Sequence, residues 1–226
     1  MESIRLDALQ EEFKKNISRK GTCEQGIEQC LYIHALYHQS EMSGIKEKTY
    51  EDELWDGLTD EMCRAMPNKK YATIAWCLWH ITRIEDGVAN LIIAKTDQIF
   101  ESGKWQKKLN VKIKDTGNVM TDPEIMEFSN QINLEELKNY RLAVGRRTEE
   151  IIKNLKVEDI KKKAEPQSVR RIIDEGVVLN QKGSLWLADF WGNKTVAGLL
   201  MLPITRHLRM HLDEAMTLKN LGDLVF

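Results

Sequence analysis

His207 and His211, within Arg206-His-Leu-Arg-Met-His-Leu-Asp213, stand four positions apart. On a helix that spacing places two imidazoles on one face with Cβ atoms about 6 Å apart, close enough to share one divalent ion. A third ligand would come from another element, and His80, in Trp76-Cys-Leu-Trp-His-Ile-Thr-Arg83, is the candidate. Three neutral imidazoles suit zinc, nickel, iron or manganese and leave a coordination position open. The competing reading is a core histidine satisfied by a hydrogen bond, and His34 and His38 form a second pair of identical spacing, so spacing alone does not choose between the pairs. That second pair could add ligands, line a pocket or pack structurally. Glu85 and Asp86 follow His80 at five and six positions, too far round a helix to chelate with it. Surface ion pairing with Arg83 is the expectation for these carboxylates. Glu85, His34 and His38 are the candidate general bases if the fold brings one of them within reach.

Other chemistries lack their residues. No Glu-x-x-His precedes a histidine, which removes the ligand set of a di-iron carboxylate bundle, and there is no HExxH, GxSxG or GxGxxG. Gly192-Asn-Lys-Thr195 resembles the end of a phosphate loop, but Leu187 stands where its first glycine belongs. Cys77 and His80 have a packing spacing rather than that of a nucleophile and its base.

Four long segments of helical periodicity must position these residues, and almost nothing alternates as a strand would. The first runs from about Ser3 to Met42, with a possible interruption and cap at Gly21-Thr22; it carries Ile27, Leu31, His34, His38 and Met42 on one stripe and ends at Gly44. The second runs from Thr73 to about Ala94, approached through Pro67-Asn68, with an apolar face broad enough to meet two neighbours. The third begins at a capping box of Asn133 and Glu136 and reaches Leu155, after a short helix opened by Thr121-Asp122-Pro123. The fourth begins near Asn193 to Thr195, continues to about Leu218, and carries Pro203, which should bend it or sit in its first turns. Long connections join them, the last with a short helix at Ser168 to Glu175. The expected architecture is all-α, one four-helix-bundle domain over residues 1–226.

Composition narrows the partners. With 33 Lys+Arg against 35 Asp+Glu the formal charge is −2, and each basic cluster has acidic neighbours, so a nucleic-acid groove is not expected. The longest apolar stretch, Val196 to Ile204, is far short of the ~20 residues that span a bilayer, so no membrane role is expected. Four cysteines without a CxxC pair, and an N-terminal segment without an apolar core, point to a reduced, cytoplasmic protein. Broad apolar stripes make a homodimer plausible. Of the six tryptophans, Trp76 and Trp79 flank His80 and Trp186 and Trp191 precede the last helix; core packing accounts for most of them, and some could wall a substrate pocket.

At these residues the sequence resembles the DinB-like (YfiT-like) superfamily of metal-dependent proteins. The resemblance rests on Trp79-His80-Ile81-Thr82-Arg83-Ile84-Glu85, on Leu134-Glu-Glu-Leu137 through Tyr140 to Gly145, and on Trp191-Gly-Asn-Lys-Thr-Val-Ala-Gly198 leading to His207 and His211. It implies an up-down-down-up bundle in which His80, His207 and His211 bind a divalent metal, with zinc or nickel foremost. It also implies a small-molecule substrate, a low-molecular-weight thiol among the candidates, and chemistry of the hydrolase or thiol S-transferase kind. The alternative is a non-catalytic bundle with a structural metal or none, acting as a binding or stress-response protein. The long loops and the His34/His38 pair depart from a minimal member.

Overall fold

The computed structural model describes residues 3–67 and 71–222; Asn68, part of the expected approach loop, lies outside that range. The helices are α1 (Ser3–Ile17), α2 (Cys23–Leu36), α3 (Ile74–Asp86), α4 (Asp122–Gln131), α5 (Leu134–Asn154), α6 (Pro166–Asp174), α7 (Leu185–Gly192), α8 (Val196–Met201) and α9 (His207–Gly222), with shorter turns of helix between them. Two π-helical segments, Gly87–Ala94 and Leu202–Arg206, continue α3 and join α8 to α9. Among the described residues the extended structure amounts to an isolated bridge between Lys163 and Thr195, so the fold is all-α as expected. Also among them, no helix is long and apolar enough to cross a membrane.

Helix α3 is the central strut, packed against both α5 and α9. The Thr73 hydroxyl accepts the Trp76 N–H at 3.0 Å and starts it, and every side chain from Cys77 to Asp86 is buried. A helix buried all round has no solvated face for charges, which corrects the expectation of surface ion pairing. Arg83 and Asp86 do pair, at 3.1 Å, but with both side chains fully enclosed. Arg83 also donates to the Tyr140 hydroxyl (2.8 Å) and to Gln98 (2.7 Å), while Asp86 accepts the N–H groups of Ile99 and Phe100 and so anchors the turn of helix at Ile99–Ser102. Further along, Gly87 gives Val177 room: a Cβ there would lie 2.6 Å from a Val177 methyl.

The first expected run is divided twice. The chain turns between Ile17 and Cys23, where the Thr22 hydroxyl donates to the Asn16 carbonyl (3.1 Å) instead of capping α2. A Cβ on Gly26 would lie 2.5 Å from the Ile17 Cα, so this glycine lets α1 descend onto α2. Helix α2 then ends at Leu36, which leaves His38 in a turn rather than on the helix. Gly44 terminates the short helix Ser40–Ser43 at φ 74°, as expected.

Helix α5 is capped by the Asn133 side chain, which accepts the Glu136 N–H at 3.1 Å; the Glu136 carboxylate takes Asn139 at 3.5 Å rather than completing a capping box. Helix α6 begins at Pro166, just ahead of the expected start, and Gly176 beyond it has φ 76°. Helix α7 falls where a connection was expected. Pro203 has no N–H to continue α8, and the Thr205 hydroxyl donates back to the Leu200 carbonyl (2.9 Å), so the chain passes through a wider turn before α9.

Candidate metal centre

Helices α3 and α9 bring His80, His207 and His211 together, with one ligand atom from each ring lying within 4.8 Å of the others. The ring centroids are 5.2 Å apart for His80 and His207, and 4.8 Å apart both for His80 and His211 and for His207 and His211. Burial lowers the His80 pKa to about 3, and burial together with the neighbouring His80 and His211 puts that of His207 well below the ordinary range. Both are neutral at pH 7, with lone pairs to offer.

Hydrogen bonds fix how two of the rings face. His80 Nδ1–H donates to the Thr116 carbonyl at 2.7 Å, and His211 Nδ1–H donates to Glu214 at 3.1 Å, so each Nε2 is left free. The bond from His211 is the main reason the Glu214 carboxyl lies below its usual range. Thr116 is itself held firmly, because α3 pins three successive carbonyls of its loop: Arg83 Nε donates to Lys114 (2.8 Å), Trp79 Nε1 to Asp115 (3.1 Å) and His80 to Thr116. Gly117, at φ 72°, turns the chain away beside Trp76, whose ring stacks on His80 with centroids 4.6 Å apart.

The donor set fits a borderline divalent ion. Three imidazole nitrogen donors converge, two with a carbonyl or carboxylate behind them as metal-bound histidines require, and the buried His207 Nδ1 has no hydrogen-bond partner in the protein. Over them lies a cavity of about 330 Å³ walled by Trp76 from α3 and by Trp186, Phe190 and Trp191 from α7. Of the four tryptophans singled out in the sequence, Trp79 alone faces away, its ring being packed on Phe100 and Phe128. Asn118 also lines this cavity.

His34, His38 and Glu85 are brought together as well, but in a separate and fully buried cluster; none of them lines the cavity above the tri-histidine group. Glu85 lies about 140° round α3 from His80, and takes His34 Nε2–H at 2.8 Å and His38 Nε2–H at 3.1 Å. Burial opposes its charge, yet these two imidazoles keep the carboxyl well below its normal range, and burial lowers the His38 pKa to about 3. Arg141 stands 3.9 Å from Glu85 and donates to Glu51 at 2.6 Å and to the Tyr37 carbonyl at 2.7 Å. The Nδ1 atoms of both rings lack a partner. With the Nε2–H of each ring taken by Glu85 and Arg141 beside that carboxylate, this cluster reads as a clamp between α2, α3 and α5. Gly145 makes room for it, since a Cβ there would fall 2.7 Å from His38 Nδ1.

Thr116, Glu214 and Asn118 were not anticipated from the sequence. Glu214 carried a readable signal, a carboxylate one helical turn beyond His211; the Thr116 carbonyl had none. The cysteines are all free and buried, and burial raises the Cys77 thiol well above its ordinary range, in keeping with a packing role.

Residues 50–215 match the DinB superfamily, and with most of its length matched the chain belongs to that family. Among solved structures it is similar to a conserved protein from Enterococcus faecalis, with a TM-score of 0.55 and 17% identity over 87% of this chain and 95% of that one, a likeness of fold. No curated protein matches the chain.

Proposed function

We propose that His80, His207 and His211 hold one divalent transition-metal ion, zinc or nickel foremost, and that the protein is a metal-dependent enzyme acting on a small molecule. The observation that carries this reading is the convergence of three imidazoles, with one ligand atom from each within 4.8 Å of the others, at the floor of a walled cavity. An ion held there would lower the pKa of bound water or of a thiol, the chemistry that hydrolysis or thiol transfer requires. The chain's own residues do the rest. Thr116 and Glu214 orient two of the rings, the aromatic walls give the cavity apolar sides, and Asn118 offers an amide to orient a substrate. Glu85 and its two histidines hold the bundle together and take no part at the cavity.

Elemental analysis of untagged protein tests the reading. Wild type should carry close to one equivalent of transition metal and His207→Ala none, with helical circular dichroism unchanged. Metal retained by the variant, or absent from wild type even after addition of zinc, nickel or manganese, overturns it.

A further inference from the structure

The lining of the cavity says what kind of molecule it admits. Its walls are the four aromatic rings already named, together with Ile84, Leu187, Leu202, Pro203 and Met210. Apart from the three histidines, Asn118 is the one polar side chain among the described lining residues, and none of those residues is charged. The surface is not apolar in general. A neighbouring groove of about 560 Å³ beside α1 is edged by Asp7, Glu11, Lys14, Lys194, Arg206 and Arg209. The absence of charge is therefore local to the histidine cavity.

Its rim points the same way. Trp186 and Met210 are each 54% exposed, and together with Ile4 they are the large hydrophobic side chains exposed among the described residues. Two of those three thus border one cavity, where each can be covered by an entering ligand. With a volume near the lower end of the ~300–1,000 Å³ typical of ligand sites, the cavity suits a small molecule rather than a protein segment.

We infer that the cavity takes a small uncharged ligand with an aromatic or aliphatic body, bound between Trp76, Trp186 and Phe190, and discriminates against anionic thiols of the glutathione type. Remote carboxylates of such a thiol would lie against tryptophan faces with no cation or amide cluster to replace their water. The inference rests on the metal reading only for the ligand's polar end; the preference for an uncharged body follows from the walls alone.

Calorimetric titration of the full chain, metal-free and zinc-loaded, with benzyl alcohol, phenylmethanethiol and glutathione tests it. Benzyl alcohol should bind both forms, and phenylmethanethiol should bind the zinc-loaded form at least about tenfold tighter than glutathione does. Trp186→Ala, at a half-exposed position, should weaken benzyl alcohol by about fivefold or more without changing zinc stoichiometry. Met210→Lys, which puts a cation on the rim, should narrow the gap between the two thiols. Equal or tighter binding of glutathione by wild type, or benzyl alcohol binding that is absent or indifferent to Trp186, overturns the inference. Trp186-dependent binding by a protein that takes up no metal upholds it while the metal reading falls, so the two failures are distinct.

Discussion

Glu214 accepts the Nδ1–H of His211 while a main-chain carbonyl does the same for His80, so two of the three imidazoles are held in a single tautomer. A carboxylate in that position fixes the ring's orientation and supports it as a metal ligand. Glu214→Gln keeps the shape and removes the charge, and metal affinity should fall about 10- to 100-fold with helicity unchanged. A chelator-competition titration reads this directly, and equal affinities would show that the carboxylate does not tune the ring. In the second cluster Arg141 is the guanidinium that pairs with Glu51 and stands beside Glu85, and its side chain is 2% exposed. Arg141→Met should cost about 3–5 kcal/mol in urea denaturation, because it leaves buried carboxylates without their cation. A loss below 1 kcal/mol would contradict the clamp. The grouping of His80 with the pair in Arg206-His-Leu-Arg-Met-His was legible from residue types and spacing. Thr116 was not, because it acts through its main chain, and the burial of Glu85 was not, because a charged residue in a sequence does not reveal its partners.

The four helical runs were legible at the scale of elements because apolar period and caps agree there. The breaks were harder to read: the stripe Ile27, Leu31, His34, His38, Met42 keeps helical spacing although the helix ends at Leu36. Tertiary contacts end it, with the Arg141 guanidinium drawing the Tyr37 carbonyl out of the helical pattern. Helix α7 was hidden because, at eight residues, it shows too little period to separate from a buried apolar run. Close approach between elements is likewise invisible until the partner is known. Gly26→Ala would drive a methyl to 2.5 Å from the Ile17 backbone, which cannot swing aside as a side chain can. It should destabilise the protein by about 1–3 kcal/mol and raise amide exchange in α1 above that in α5. Uniform protection across both helices would show that α1 docks independently of this contact.

At the scale of the whole molecule, with a formal charge of −2, long-range charge contributes little, and the pH dependence of stability lies in the buried groups. His38 stays neutral in the fold down to about pH 3, whereas a free imidazole protonates near 6.5, so from about pH 6.5 downward the unfolded chain gains protons that the folded one refuses. Glu85, held well below its usual range, acts in the same direction at lower pH. Stability of the metal-free protein should therefore fall on acidification, by up to about 1.4 kcal/mol per pH unit for each such histidine, His80 and His207 acting in the same direction as His38. Urea midpoints should drop between pH 7 and pH 5 with the slope unchanged, and a constant midpoint would count against neutral, buried histidines in this fold. The wide turn at Leu202–Arg206 sets a different limit, on how the chain can change in length. Each helical residue turns the chain by about 100°. A residue removed from α9 between His207 and His211 would break their four-residue spacing and swing one imidazole away from His80, whereas the wide turn, which rotates less per residue than an α-helix, can take up a one-residue change ahead of them. A deletion in the irregular stretch before α7 would be absorbed by its turns. Pro203 thus marks the last stretch ahead of the imidazoles in which the residue count can change without moving their angular phase.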